Sequence, residues 1–242
     1  MRVVQNDKYI KSRGLIGRYA FFAGFGVLIL GLIISIGTPR EPAQAVALLP
    51  LSFLCLIAGF ALSQFGGYYV RRFDRGELPH VSIAKALKGF DDRYTLANYR
   101  TPASHVLLAP DAVYVIIPKA QAGTITYQNG RWRNPMGISR VFTWMTEESL
   151  GNPVRDAAGE VARLQRYLAR ELPDISIEIQ PVIVFLNPKA TVEAEAAPVP
   201  ALHIKKFKDW LRGRTRGGLS RESHAALSRL LIPASPDKTS EA

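Results

Sequence analysis

Five residues in three short segments are this chain's candidates for chemistry. Ser104 and His105 open one β-rich run, Lys119 closes the next, and Asp156 and Glu160 stand one helical turn apart downstream. Residues 104–109 (SHVLLA) and 113–118 (VYVIIP) flank Pro110-Asp111-Ala112 and read as a hairpin. With the turn centred on Pro110-Asp111, antiparallel pairing sets Ser104 across from Ile117 or Pro118, with Lys119 beside them. The bland alternatives are a packed histidine at 105, a strand-end surface lysine at 119, and a solvated helix start whose acids suit the macrodipole. Other chemistries are excluded. The only cysteine, Cys55, lies in an apolar stretch, so disulfides, zinc and thiol catalysis drop out. No Gly-rich phosphate loop, zinc spacing or nucleophile elbow occurs in the sequence.

The elements that must position these residues follow from the same pattern. Residues 79–88 (PHVSIAKALK) have helical spacing and stop at Gly89. Residues 94–100 alternate as a half-buried strand, and 124–127 with 131–132 flank the tight-turn pair Asn129-Gly130. Asn152 caps a helix that carries Pro153 at its first position and runs to Leu172 before Pro173. Residues 182–186 (VIVFL) read as a strand covered on both faces. A loop is expected over 190–200, then helices near 201–212 and 220–231, then a polar tail expected to be disordered. Trp132, Trp144 and Trp210 are expected to supply core or interfacial burial. The order describes a mixed α/β sandwich.

Ahead of this domain lie two stretches without Lys, Arg, Asp or Glu: Tyr19 to Pro39 and Pro42 to Val70. A helix needs roughly 20 apolar residues to cross the hydrocarbon layer of a bilayer, and both stretches qualify. A transmembrane helical hairpin is therefore expected over 19–70, with spans at about 19–37 and 44–66, after a basic cytoplasmic segment 1–18. Arg2, Lys8, Lys11, Arg13 and Arg18 precede the first span, and Arg71, Arg72 and Arg75 follow the second, while the connecting loop has Arg40 alone. That asymmetry places both termini on the cytoplasmic side of the cell (inner) membrane. Neither span carries an ionisable side chain, so ion or proton transport is not expected.

The formal net charge is +11, and its strongest local excess is in the last forty residues. Lys205, Lys206, Lys208 and Arg212, with Lys119, form the candidate binding set. Anionic lipid head groups are the plain partner for a domain tethered at a cytoplasmic face. Nucleic-acid phosphates are the sharper alternative. A protein partner is the third.

Four pieces, ASHVLLAPDAVYVIIPK, AGTITYQNGRW, NPVRDAAGEVARLQRYL and PVIVFLNP, resemble the nuclease-related domain (NERD) family of the restriction-endonuclease-like PD-(D/E)xK group. The resemblance covers about residues 80–212. It implies that an Ile-Asp-His triplet falls on Ala103-Ser104-His105 and a Glu-x-Lys end on Ile117-Pro118-Lys119. The helix motif, Asn-Pro followed by a Gln, has Asp156 in place of the Gln. In the family the Asp and Glu hold a divalent metal and the Lys acts at phosphate. Here His105 and Lys119 match and both acids are gone. Magnesium takes oxygen ligands, and Ser104 offers one neutral oxygen while Ile117 offers none. The literal Pro110-Asp111 pair sits at the hairpin tip, about 25 Å from the strand's other end, and reads as a turn former.

The expectation is thus two transmembrane helices followed by a restriction-endonuclease-like α/β domain over 76–212, with a basic helix and tail over 213–242. No metal ligand and no cofactor is expected. The domain reads as an inactive nuclease relative used for binding or scaffolding. One alternative is an active Mg²⁺-dependent nuclease with Asp156 and Glu160 as displaced ligands. Another is a basic membrane-surface module that meets no nucleic acid.

Overall fold

The computed structural model describes residues 1–37, 42–74, 78–135, 149–175, 177–214 and 219–232. Trp144, Arg40, Arg75 and the tail from Pro233 lie outside the described residues. The chain divides into two compact units. One is Asp7–Leu78; the other joins Met1–Asn6 to Pro79–Ala242.

The first unit is a helical hairpin of α1 (Asp7–Ile36) and α2 (Pro42–Phe73), both long and apolar enough to cross a membrane. α1 begins at Asp7, not near Tyr19, so Lys8, Lys11, Arg13 and Arg18 stand on the helix itself. Its 30 residues make it about 45 Å long, half as long again as the hydrocarbon layer. Small residues set the contact between the helices. Gly17, Gly24 and Gly31 recur every seven residues on α1, and Ser52, Gly59 and Gly66 do so on α2. A Cβ added at Gly24 would lie 2.5 Å from the Ser63 nitrogen, and one at Gly59 2.8 Å from the Gly24 carbonyl oxygen. Backbones this close need glycine. The large apolar side chains face outward, with Phe22 62%, Leu54 63% and Ile57 67% exposed. Arg18 closes the charged end by a 2.8 Å ion pair with Asp74.

The second unit is built on a six-stranded mixed sheet. Its strands are β1 (Arg2–Gln5), β2 (Thr95–Asn98), β3 (His105–Leu108), β4 (Val113–Lys119), β7 (Ile179–Phe185) and β9 (Ala201–His203), in that spatial order. β2, β3 and β4 run antiparallel, whereas β1 pairs parallel with β2, and β4, β7 and β9 run parallel. A second sheet takes β6 (Arg131–Arg133), β5 (Gly123–Gln128) and β8 (Ala190–Glu193).

Helices cover both faces of the large sheet. Alternation along β4 sends Val113, Val115 and Ile117 to one apolar cluster, with Ala157, Leu164 and Leu168 of α4 (Pro153–Glu171) and Leu227 and Leu231 of α6 (Arg221–Leu231). Tyr114 and Ile116 go to the other, with Ile83 of α3 (Pro79–Ala86) and Phe207 and Leu211 of α5 (Ile204–Gly213). Trp132 packs against the first cluster and Trp210 against the second.

The α/β class and the order of the central elements are as the sequence predicts, but β2, read as half-buried, is buried at every position between β1 and β3, and three further segments differ. Residues 2–5, read as part of a basic terminal segment, form strand β1. Arg2 and Asn6 donate their backbone N–H to the carbonyls of Tyr94 and Asn98, so the parallel ladder leaves no free inner donor there. Residues 190–193, read as loop, form β8, because Thr191 and Val192 suit a strand that pairs parallel with β5. Residues 201–203, read as the start of a helix, are β9. The helix begins only at Ile204, after the His203 side chain accepts from the Lys205 N–H.

Candidate functional site

The β3–β4 hairpin brings the candidate residues level. The Ala109 N–H donates to the Ala112 carbonyl at 3.0 Å, closing the turn. The pairing Val106↔Val115, Leu107↔Tyr114 and Leu108↔Val113, continued two residues outward, sets Ser104 level with Ile117. Asp111 lies at the far end and accepts from the Tyr114 hydroxyl at 2.8 Å. Burial first, and this bond second, push the Tyr114 phenol well above its usual range, so it stays protonated and keeps donating. Asp111 is a turn residue.

A tight backbone turn presents Ser104. Tyr99 has φ 56°, the left-handed region that a tyrosine rarely adopts, and its N–H donates to the Ser104 carbonyl at 2.8 Å. α4 supplies the acids. Asn152 caps it, its side chain accepting from the Arg155 N–H at 3.2 Å, and Pro153 follows at the first turn. Spacing of four places Asp156 and Glu160 on the helix face that meets the end of the hairpin.

Both acids reach the motif positions. Glu160 accepts from the Ser104 N–H at 2.9 Å and from its hydroxyl at 3.4 Å, and pairs with Arg163 at 2.6 Å. Asp156 lies 2.8 Å from Lys119 Nζ, which also donates to the Leu150 carbonyl at 3.2 Å. The structure therefore gathers Ser104, Ile117, Lys119, Asp156 and Glu160 at one end of the sheet. The surface-lysine reading gives way for Lys119 and the solvated helix-start reading for Glu160, while Asp156 remains half-exposed. The side chain of Lys119 is 9% exposed and that of Glu160 16%, so neither is a solvated surface group.

His105 does not join this group. It is fully buried on the other face of the sheet, where Nδ1 lies 2.8 Å from Asn98 Oδ1 and the ring meets Tyr99 edge-on. It is a packed, hydrogen-bonded histidine. The candidate binding cations also separate. Lys205, Lys206, Lys208 and Arg212 stand on α5, across the sheet from Lys119 and α4.

A magnesium ion does not fit these side chains as arranged. Ile117 is 5% exposed within the apolar cluster and offers no oxygen. Asp156 is committed to Lys119, and Glu160 to Arg163 and Ser104. Among the described residues, no three His, Cys, Asp or Glu side chains gather where they could hold an ion. The arrangement is a charge-balanced cluster of two cations and two carboxylates beside a hydroxyl.

The nuclease-related domain (NERD) family matches residues 75–186. Comparison with the curated proteins and with the solved structures returned no match. The matched stretch contains the hairpin with Ser104 and Lys119, the helix with Asp156 and Glu160, and the central strand β7. Behind its two apolar helices, this chain therefore carries a nuclease-related (NERD) domain match over residues 75–186.

Proposed function

We propose that this protein is a two-pass, membrane-anchored NERD protein whose cytoplasmic domain binds or scaffolds and does not cut phosphodiesters. The Lys119–Asp156 ion pair carries this reading: the lysine that would act at phosphate is already neutralised at 2.8 Å. The packing of Ile117 in the core supports it, since an acid there would have to be buried among apolar side chains. The domain resembles the PD-(D/E)xK group in its order of elements and departs from it in both metal-binding acids.

Three observations support the anchor. Large apolar side chains along both helices of the hairpin face outward, the kind of exposed apolar surface that marks contact with a membrane. Its helices pack through glycine, the habit of membrane helices. The chain leaves the α/β unit at Asn6 and re-enters it at Pro79, so both ends of the hairpin join one domain. Two crossings satisfy that connection, and the basic flanks favour the cytoplasm for it.

The test is cleavage by the full chain in nanodiscs, with single- and double-stranded DNA and RNA and with Mg²⁺ or Mn²⁺. No cleavage is expected. Convergence of Asp156 and Glu160 on the motif positions favours one rival reading, a nuclease with displaced acids. Metal-dependent cleavage lost in both Lys119→Ala and Glu160→Gln would establish that rival.

A further inference from the structure

On the α3/α5 side of the sheet, three cations lie over two aromatic rings. Lys208 Nζ and Arg212 Cζ lie 5.9 and 5.8 Å from the centre of the Phe90 ring, and Arg214 Cζ lies 4.3 Å from that of Trp210. Lys208 also donates to the Lys88 carbonyl, which fastens α5 to the turn after α3. The Lys88, Arg212 and Arg214 side chains are exposed, and Lys208, Phe90 and Trp210 are half-buried. Lys205 and Lys206 add two exposed cations on α5.

Nearby acids do not cancel this charge. Asp91 is engaged by Arg93 at 2.6 Å, and Asp92 lies 3.5 Å from the Met1 amine. Asp209 is the sole acid of α5, 3.9 Å from Arg212 and largely solvated. The surplus is a cationic surface with aromatic side chains at its centre, a composition suited to the polar edge of a membrane.

Chain connectivity selects the partner. α3 starts at Pro79, five residues after Asp74, and five residues span at most about 18 Å. β1 ends at Gln5, one residue before α1 starts at Asp7. The segment that carries Lys88 and Phe90 thus follows the apolar hairpin closely along the chain, while the Ser104–Lys119 group occupies the opposite face of the sheet.

We infer that the surface formed by Lys88, Phe90, Lys208, Trp210, Arg212 and Arg214 docks on the anionic phospholipid head groups of the leaflet the hairpin enters. Docking there leaves the α4 face open to the cytoplasm. The inference rests on the hairpin spanning the bilayer. Each basic side chain near an anionic leaflet contributes about a five-fold bias toward the docked state, so several together hold the domain down.

The experiment is amide hydrogen exchange of the full chain in phosphatidylcholine nanodiscs, with and without phosphatidylglycerol. Exchange over 85–90 and along α5 is expected to slow about five-fold or more with phosphatidylglycerol, with α4 unchanged. High salt should erase the difference, as should the pair Lys208→Gln and Arg212→Gln. Equal exchange in both nanodiscs overturns the inference. So does protection that appears only when an oligonucleotide is added to phosphatidylcholine nanodiscs, which assigns the surface to nucleic acid. A chain that co-purifies with neither nanodisc defeats the anchor and, with it, this surface. Co-purification without lipid-dependent protection defeats the surface alone.

Discussion

Lys119 donates to Asp156 at 2.8 Å, and this bond ties the end of β4 to the first turns of α4. The pair is lopsided: the side chain of the lysine is 9% exposed and that of the aspartate 50%. A cation held that far from water depends on its counter-ion, whereas the aspartate does not depend on the lysine. The same asymmetry recurs beside it, where Glu160 is 16% exposed and Arg163 46%. In each pair the inner charge is structural and the outer one neutralises it.

Asp156→Asn should therefore destabilise the chain more than Lys119→Met does. The first leaves an inner ammonium with weakened partners, at about 1–2 kcal/mol given how exposed the aspartate is. The second removes the charge and keeps the apolar stem, which such sites tolerate better. Midpoints of chemical denaturation of the full chain in detergent compare the two. The reverse order would mean that Lys119 is not held by Asp156.

β1 carries a sharper contrast within two adjacent residues. Arg2 and Asn6 donate inward to β2, and the parallel ladder alternates by two, so Val4 donates inward and Val3 outward. Val4→Pro should weaken the edge by about 1–2 kcal/mol, with Val3→Pro milder. Faster amide exchange over Thr95–Asn98 in the first variant alone is the readout. A fragment beginning at residue 76 lacks β1 and should show the same weakness.

Gly66→Ala should loosen the helical hairpin, because its new Cβ would overlap the Phe21 nitrogen. Gly26→Ala is the matched control, since a Cβ there meets nothing within 4 Å. Thermal unfolding in detergent should fall for the first and hold for the second. Equal behaviour would show that the helices do not pack along the glycine line.

The parts legible in the sequence were those with a local cause. Asn152 and Pro153 announce the start of α4, the Pro110–Ala112 turn fixes the β3–β4 register, and the VIVFL run marks the buried strand. What stayed hidden depends on distant pairing. Nothing in RVVQ shows that it will find β2 some ninety residues away, and short polar-flanked β8 needs β5 as its template. The seven-residue recurrence of Gly17, Gly24 and Gly31 is present in the sequence, but that it lines the contact between the helices shows only in their packing. Asp156 and Glu160 were visible as one helix face, but their reach to Lys119 and Ser104 is a tertiary fact. The separation of His105 from Lys119 follows from strand alternation, which a linear motif conceals.

Ser104→Asp tests what the cluster has lost. An aspartate there would face Glu160, which now accepts from both the N–H and the hydroxyl of Ser104. Two carboxylates in that space repel, so the variant should unfold at lower temperature than the native chain when chelator is present. A divalent ion bridging them would reverse the loss. A ligand that binds only the folded state stabilises it by about 2.7 kcal/mol at a hundred times its dissociation constant. The native chain should show no shift with Mg²⁺ or Mn²⁺, and the variant a clear one. Cleavage should still be absent in the variant, because Ile117 supplies no second acid and Asp156 still holds Lys119. A metal-dependent shift in the native chain that disappears in Glu160→Gln would show that the ion site was never lost.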